Sequence, residues 1–289
     1  MRCAIIGGQG FIGRHLVYYL KRLGHDVASY DLNGEMVHRI DLLDKRSVCR
    51  LDLSVDYVFM FAGLTGTFSG FDAFEKYVGI NELCLLNLLD AIRLSEYRPK
   101  VVFPSTRLVY KGLDKPLKEE DEKDSKTIYA VNKLACEGYL KAYYDSFDIP
   151  YTIFRICIPY GNLLSADYSY GTIGLFMHQA KTRKEITLYG GGIVKRTFTH
   201  MEDLCYQVAF GAFHSNSTGN TYNVGGESLS LYEAAKIIAR KYDAKVTAVP
   251  WPEQDLRIES GHTYFDDSKI RSLLDIKSYK RLVDFINDL

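Results

Sequence analysis

The chain has 289 residues, 47% of them hydrophobic and 25% charged, with 36 basic residues set against 36 acidic ones. That length buries a sizeable core as one large domain or two intimate ones, and the balanced charge leaves no electrostatic footprint for nucleic acid or an anionic membrane. The six cysteines (Cys3, Cys49, Cys84, Cys136, Cys157, Cys205) are scattered with no CxxC pair and no partnering histidine spacing, so they read as small buried hydrophobes in a reducing compartment, neither disulfides nor a metal site.

The chain begins directly in a strand-like "RCAII" (2–6), which leaves no room for a signal peptide, and no segment approaches the roughly 18 to 20 apolar residues of a membrane span. A cytosolic protein is expected. "FIGRHLVYYLKRLG" (11–24) follows, with Leu16, Val17, Leu20 and Leu23 at helical spacing and Gly24 as a C-cap. Then come "DVASYD" (26–31), a short "VHRI" (37–40), "DYVFMFA" (56–62), a long helical stretch over 72–95 and "KVVFPS" (100–105). A charged loop (111–126) leads into a helix at 127–147 and the strand "YTIFRI" (151–156). Apolar strands separated by crossover helices imply a parallel sheet covered on both faces.

After about residue 160 the pattern changes. Helices are expected at 172–184, 201–213 and 230–242, with short strands near 186–189, 195–199, 221–224 and 245–249, and a helical C-terminal stretch from "DDSKIRSLL" onward. The expectation is an α/β chain with a nucleotide-binding half, residues 1–160, and a smaller mixed α/β substrate cap, residues 161–289. The chain is expected to cross between the two more than once.

"AIIGGQGFIGRHL" (4–16) packs four glycines into seven residues at a strand-to-helix turn. In a doubly wound sheet that turn can hold a pyrophosphate on the N–H groups of the helix N-terminus. Gly7 would supply the tight turn, Gly10 close approach to phosphate, and Gly13 close helix–strand packing; the stretch also fits Gly8-x-Gly10-x-x-Gly13. Asp31, ending the second strand, can accept hydrogen bonds from a ribose hydroxyl and would repel a 2′-phosphate, although "DLNG" is also good turn chemistry. Asp41-Leu42 fits an adenine flank, and a helix N-cap at Asp41 or Asp44 fits equally. The cofactor this predicts is NAD rather than NADP.

"IYAVNK" places Tyr129 and Lys133 four residues apart, on one face of a helix. A free tyrosine is a poor base at neutral pH, and a lysine ammonium one turn away favours its phenolate and can hold the cofactor ribose. The spacing alone is cheap, since Tyr232 and Lys236 repeat it on what reads as a solvated face. The difference lies in "VVFPSTRLVY", a strand ending in Ser105-Thr106 ahead of Tyr129, where a hydroxyl can reach the same substrate oxygen.

At these residues the chain resembles the extended short-chain dehydrogenases, the NAD-dependent nucleotide-sugar epimerase/dehydratase family that includes enzymes similar to UDP-galactose 4-epimerase. "GGQGFIG", Asp31, "FAGLTG", "NELCLLNLLDA", "PSTRLVY", "YAVNK", "FRICIPYG", "YGGGIVKRTFTHMEDL" and "YNVGG" come in family order. The resemblance implies a Rossmann-like doubly wound sheet with Thr106 as hydroxyl partner, Tyr129 as acid/base and Lys133 as its activator. It implies that Gly7, Gly10, Phe11, Ile12, Gly13, Asp31, Asp41, Leu42, Phe61, Ala62, Gly63, Asn81 and Lys133 bind the cofactor. Thr106, Tyr129, Arg196 and Arg257 would bind a nucleotide-diphosphate sugar. Arg155 matches the family's strand arginine, with a structural ion pair as its other reading. His200 reads as a satisfied histidine at a helix start, and the seven histidines show no ligand spacing.

Departures narrow the reaction. The 4,6-dehydratases carry Asp-Glu after the threonine, and the decarboxylases place a glutamate at the position of Leu108; here stand Arg107 and Leu108, and a leucine moves no proton. No cysteine lies there either, as the 3,5-epimerising reductases require. What remains needs only Thr, Tyr, Lys and hydride: a nucleotide-sugar epimerase passing through a transient 4-keto sugar, or an NAD(P)H-dependent 4-keto-sugar reductase. A non-catalytic dinucleotide-binding regulator is the reading from another class, but such relatives usually lose the tyrosine or lysine. Ile158 stands where the family often has asparagine, which removes a hydrogen bond expected at the sugar or its phosphates. The apolar helices 81–95 and 127–147 imply a homodimer by resemblance.

Overall fold

The computed structural model describes residues 1–33, 38–164 and 170–289. The chain divides into two compact units, the first made of residues 1–109, 125–155 and 208–222, the second of 110–124, 156–207 and 223–289.

In the first unit, β1 (Arg2–Ile6), α1 (Phe11–Arg22), β2 (Asp26–Asp31), β3 (His38–Arg39) and the one-turn α2 (Lys45–Val48) open the chain. Val37, expected within the third strand, lies outside the described residues. β4 (Tyr57–Met60), β5 (Lys100–Thr106), β6 (Tyr151–Ile156) and β10 (Asn220–Asn223) complete a seven-stranded sheet of order β10-β6-β5-β4-β1-β2-β3. The β3–β2, β2–β1, β1–β4 and β4–β5 pairs are parallel. The order reverses between β2 and β4 on either side of β1, which makes the carboxyl end of β1 the switch point where such sheets bind ligands. The doubly wound, Rossmann-like sheet expected from the sequence is therefore present. The central strands β1, β4, β5 and β6 are buried along most of their length because helices cover both faces, β5 at every residue. By contrast, β2 is mostly half-buried and the edge strand β3 exposed. Ala4, Ile6, Val58, Met60 and Phe103 share one core with Leu85, Leu88, Leu89 and Ile92.

The long helix expected over 72–95 is instead several pieces. α3 (Ser69–Asp72) and α4 (Phe74–Val78) are separated by Ala73 at φ −137° and ψ 40°, and a π-helical turn, Gly79–Leu83, joins α4 to α5 (Cys84–Leu94). Periodicity could not show these breaks, because the apolar spacing runs through them. α6 (Ile128–Phe147) begins as predicted: the Thr127 side chain caps it by accepting the Ala130 N–H at 3.2 Å.

The second unit holds β7 (Ile158–Tyr160), β9 (Lys195–His200) and β11 (Glu227–Ser230) as one sheet, and β8 (Glu185–Tyr189) paired in parallel with β12 (Lys245–Val249) as another. α7 (Gly171–Arg183) and α9 (Leu231–Tyr242) share its core with Ile158, Tyr160 and Phe198. Between them, α8 (Met201–Phe213) begins in the second unit and ends in the first. α9 carries a capping box of Ser230 and Glu233. β7, β11 and the short α10 (Glu253–Ile258) were not legible in the sequence. The C-terminal stretch is not one helix but two, α11 (Ser268–Leu274) and α12 (Leu282–Asn287), because Asp275 turns left-handed at φ 50°. Four of the six cysteines are buried as expected, but Cys49 is exposed and Cys157 half-buried. Among the described residues no helix is long and apolar enough to cross a membrane.

Candidate active site

The glycines of the first turn leave no room for side chains. Gly7 has φ +85°, and a Cβ there would sit 2.4 Å from the Ala62 nitrogen, so the ends of β1 and β4 touch through bare backbone. A Cβ on Gly13 would lie 2.0 Å from the Gly7 oxygen, and one on Gly8 2.0 Å from Ser29 Oγ. The Gly10 N–H donates to the Gly7 oxygen at 3.0 Å, and Gly10 then starts α1 with no side-chain cap. The first N–H groups of a helix have no intrahelical acceptor, so Phe11, Ile12 and Gly13 open a helix terminus suited to anionic oxygens. This bare cradle at the switch point fits the pyrophosphate of a dinucleotide.

Asp31 closes β2 beside the cradle. Its carboxylate accepts the Gln9 N–H at 2.9 Å and the Asn33 N–H at 3.4 Å, which ties the glycine turn to the strand end. The Asp41 carboxylate accepts the Leu43 N–H at 2.9 Å, and Asp44 is the residue that caps α2, accepting from Arg46. Leu42 is buried, and its carbonyl accepts from Asn87 Nδ2 at 2.7 Å.

Across the switch point, the Phe61 N–H donates to the Ile6 carbonyl at 2.8 Å. Gly63 lies under two of the predicted groups: its absent Cβ would stand 3.1 Å from Asn81 Oδ1 and 3.8 Å from Lys133 Nζ. Asn81 holds that loop by both ends of its amide, accepting the Leu64 N–H at 2.8 Å and donating to the Leu64 carbonyl at 3.2 Å. The π turn is what presents Asn81 there, a use of extra-residue turns common at working sites. Its neighbour Glu82 accepts from Asn132 Nδ2 and from the Tyr139 hydroxyl, 2.8 Å away. The Tyr139 phenol is pushed up to about 12, chiefly by that hydrogen bond to Glu82.

Thr106 is buried at the end of β5 and accepts the Leu108 N–H on Oγ1 at 3.3 Å. Tyr129 is half-buried on the first turn of α6. Lys133, one turn on, is buried with its Nζ 4.4 Å from the centre of the Phe103 ring and 5.9 Å from that of Tyr129. Burial pushes the ammonium of Lys133 down to about 8, against the upward pull of Cys136 and Glu137.

Glu137, one turn further along α6, was not singled out by the sequence. Its carboxylate accepts Ser105 Oγ at 2.5 Å, Arg155 Nε at 2.9 Å and Arg155 Nη2 at 2.5 Å. Arg155 is thus in the ion pair that was its alternative reading. The signal for Glu137 was its four-residue step from Lys133, which says little until the strands bring Ser105 and Arg155 to it.

The remaining predicted residues belong to the second unit. Arg196 is fully buried on β9, with Nη1 donating to the Gly261 carbonyl at 2.6 Å and to its neighbour Lys195 at 2.8 Å, and Nη2 to Glu259 Oε1 at 2.7 Å. Arg257 is exposed on α10 and paired with Glu253. Ile158 is taken up by the core of that unit. His200 Nδ1 accepts the Glu202 N–H at 3.2 Å, as expected at a helix start.

Comparison with known proteins gives the family. Residues 3–225 match the family described as NAD dependent epimerase/dehydratase. The chain is 29% identical to CDP-paratose 2-epimerase of Salmonella typhi, covering 89% of this chain and 90% of that one. It is also 29% identical to UDP-N-acetyl-alpha-D-glucosaminuronate decarboxylase of Bacillus cytotoxicus, over 86% and 84% of the two chains. Among solved structures, the UDP-glucose 4-epimerase of Thermus thermophilus in complex with NAD superposes with a TM-score of 0.85 at 24% identity, covering 99% of each chain.

Proposed function

From the membership of this chain in the NAD dependent epimerase/dehydratase family, we propose that it is a nucleotide-sugar epimerase working through a transient 4-keto sugar. The observation that carries this reading is the gathering of Thr106, Tyr129 and Lys133 in one unit with the bare glycine cradle, with Leu108 in place of any further acid. NAD is the family's cofactor, and when bound it supplies the acceptor and donor of the sugar's hydrogen. Gly7, Gly10, Phe11, Ile12 and Gly13 would take its pyrophosphate, Asp31 a ribose, and Asp41 and Leu42 would flank the adenine. Phe61, Ala62, Gly63 and Asn81 would line its other end, with Lys133.

In this reading Tyr129 accepts the proton of the sugar hydroxyl and later returns it. Lys133, charged and one turn away, stabilises the phenoxide that this requires. The Thr106 hydroxyl holds the same sugar oxygen in line with the phenol. Leu108 beside it offers no proton, which supports a reaction without elimination or decarboxylation. Arg257, exposed on α10, would serve the diphosphate of the nucleotide sugar, whereas the guanidinium of Arg196 is already taken up by Glu259 and the Gly261 carbonyl. We further propose a homodimer through α5 and α6 with the π turn, because Leu83, Leu94 and Val131 expose apolar side chains there.

The test is to purify the protein without added nucleotide, denature it and identify what is released, then incubate native protein with UDP- and CDP-sugars. Near-stoichiometric NAD and inversion at C4 without net redox change are expected. An empty protein that consumes NADPH with a 4-keto sugar would replace this reading by the reductase. Inversion at C2 would move the oxidised carbon.

A further inference from the structure

Tyr129, Lys133 and Glu137 follow one another at four-residue steps along α6 and so lie on neighbouring positions of one helix surface. The first two have roles in the reaction proposed above; the third has none. Yet Glu137 is the point where three elements meet: α6 itself, β5 through Ser105 and β6 through both nitrogens of the Arg155 fork. All three side chains are buried. A buried ion pair is weak evidence for stability, since well-packed apolar residues of similar volume often serve as well. A bidentate pair does demand one geometry. A slide of α6 by one residue, about 1.5 Å, would break all three bonds, which are 2.5–2.9 Å long. Ser105 is also the direct neighbour of Thr106, so the bond that anchors the helix is made next to the strand residue that faces the chemistry.

The surroundings of Lys133 give the carboxylate a second task. On α6 the groups near the ammonium are Tyr129, Cys136 and Glu137; β5 brings the Phe103 ring, and Asn81 of the π turn stands with the ammonium over Gly63. Glu82 is engaged by Asn132 and Tyr139. Glu137 is the carboxylate whose charge acts on Lys133, and Arg155 is turned onto Glu137.

We propose that Glu137, locked by Ser105 and Arg155, is a positioning residue that sets the register of the helix carrying Tyr129 and Lys133 against the strand end carrying Thr106, and keeps Lys133 protonated at neutral pH. Its consequence for turnover rests on the reaction proposed above, whereas its effect on Lys133 does not.

The experiment follows the lysine directly. The full chain, labelled with ¹³C and ¹⁵N at lysine, is titrated by NMR, and the Lys133 signal is identified by its loss in Lys133→Met. Glu137→Gln keeps the shape of the side chain and removes its charge. Glu137→Gln/Arg155→Met removes both charges and leaves none buried alone, so it carries the test if the single variant fails to fold. The wild-type midpoint is expected near 8. It should fall by about one unit, a tenfold change in the protonation equilibrium, in Glu137→Gln, where the Arg155 charge is left unopposed, and by less in the double variant, which loses that positive charge as well. The alkaline limb of the kcat profile should move down by the same amount, with KM little changed. A Lys133 midpoint that stays in place or rises in the folded variants overturns the proposal. If the wild type shows no epimerisation but the midpoint still falls, Glu137 keeps its role and the proposed reaction is what fails.

Discussion

Replacing Gly13 by alanine separates the cradle's function from the stability of the helix it opens. The new Cβ would stand 2.0 Å from the Gly7 oxygen and 2.9 Å from its carbonyl carbon, both backbone atoms that cannot rotate away. Ordinary contact starts at 3.4 Å, so the start of α1 and the Gly7 turn must part by up to 3.4 − 2.0 = 1.4 Å. Overpacking of this kind costs about 1–3 kcal/mol, offset by about 1 kcal/mol of helix propensity. The net loss is then about 0–2 kcal/mol, or a fall in Tm of up to about 8 °C at the scale for larger domains. Gly24, beyond the other end of the same helix, makes the control. It has φ +78° with nothing within 4 Å of its absent Cβ, so alanine there costs about 1–2 kcal/mol through the left-handed backbone alone.

The two variants should therefore melt alike and bind differently. A shift near 1 Å at the helix start stretches its N–H contacts to a phosphate beyond bonding range. The loss of even one charge-assisted bond, about 1.5–3 kcal/mol, weakens NAD by about tenfold to a hundredfold. Calorimetric titration of NAD into cofactor-stripped protein measures this, with differential scanning fluorimetry for stability. Unchanged NAD affinity in Gly13→Ala would refute the cradle, and equal losses in both variants would mean that binding follows global stability instead.

Tyr129→Phe should lower turnover on the order of 10²–10⁴-fold while NAD still co-purifies; a smaller loss removes Tyr129 from the chemistry. Asp31→Ala should weaken NAD and narrow its advantage over NADP by about tenfold, the worth of one charge-assisted bond, and competition titrations showing an unchanged ratio would count against the ribose role. Lys100 is buried with Nζ donating to the Ala212 and His214 carbonyls and to Ser217, and burial lowers it to about 8. The folded state therefore resists that proton: the penalty is full below pH 8 and vanishes as pH rises towards the unfolded value near 10.4. The stability of wild type relative to Lys100→Met should accordingly rise by about 2 kcal/mol from pH 7.5 to 10, and a flat difference in urea melts would refute it. Light scattering should give a dimer for the wild type and a monomer for Val131→Glu, and a wild-type monomer at micromolar concentration ends the dimer proposal.

Much of the candidate site was legible in the sequence because its residues follow short-range spacing. The glycines at 7, 10 and 13 answer to one turn, and Asp31 to the end of one strand. Tyr129 and Lys133 answer to one helical turn, so their order along the chain already limits where they stand. The apolar strands likewise declare a sheet covered on both faces, because burial on two sides removes polar alternation.

Other features exist only once distant segments meet. The breaks around Ala73 and the π turn that aims Asn81 at Leu64 are absent from an apolar pattern that runs unbroken through 72–95. Arg196 matched a diphosphate contact by its place in a motif, but its guanidinium lies buried among the Gly261 carbonyl and Glu259, more than sixty residues away in sequence. Glu137 shows this most clearly. In the sequence it is one more charged helical residue; in the fold, Ser105 arrives from 32 residues before it and Arg155 from 18 after. Local spacing determines which backbone shapes and side-chain rows the chain can form. Which buried charges find partners is decided by the order of strands in the sheet, because a carboxylate out of water needs its donors from whatever element the topology lays beside it.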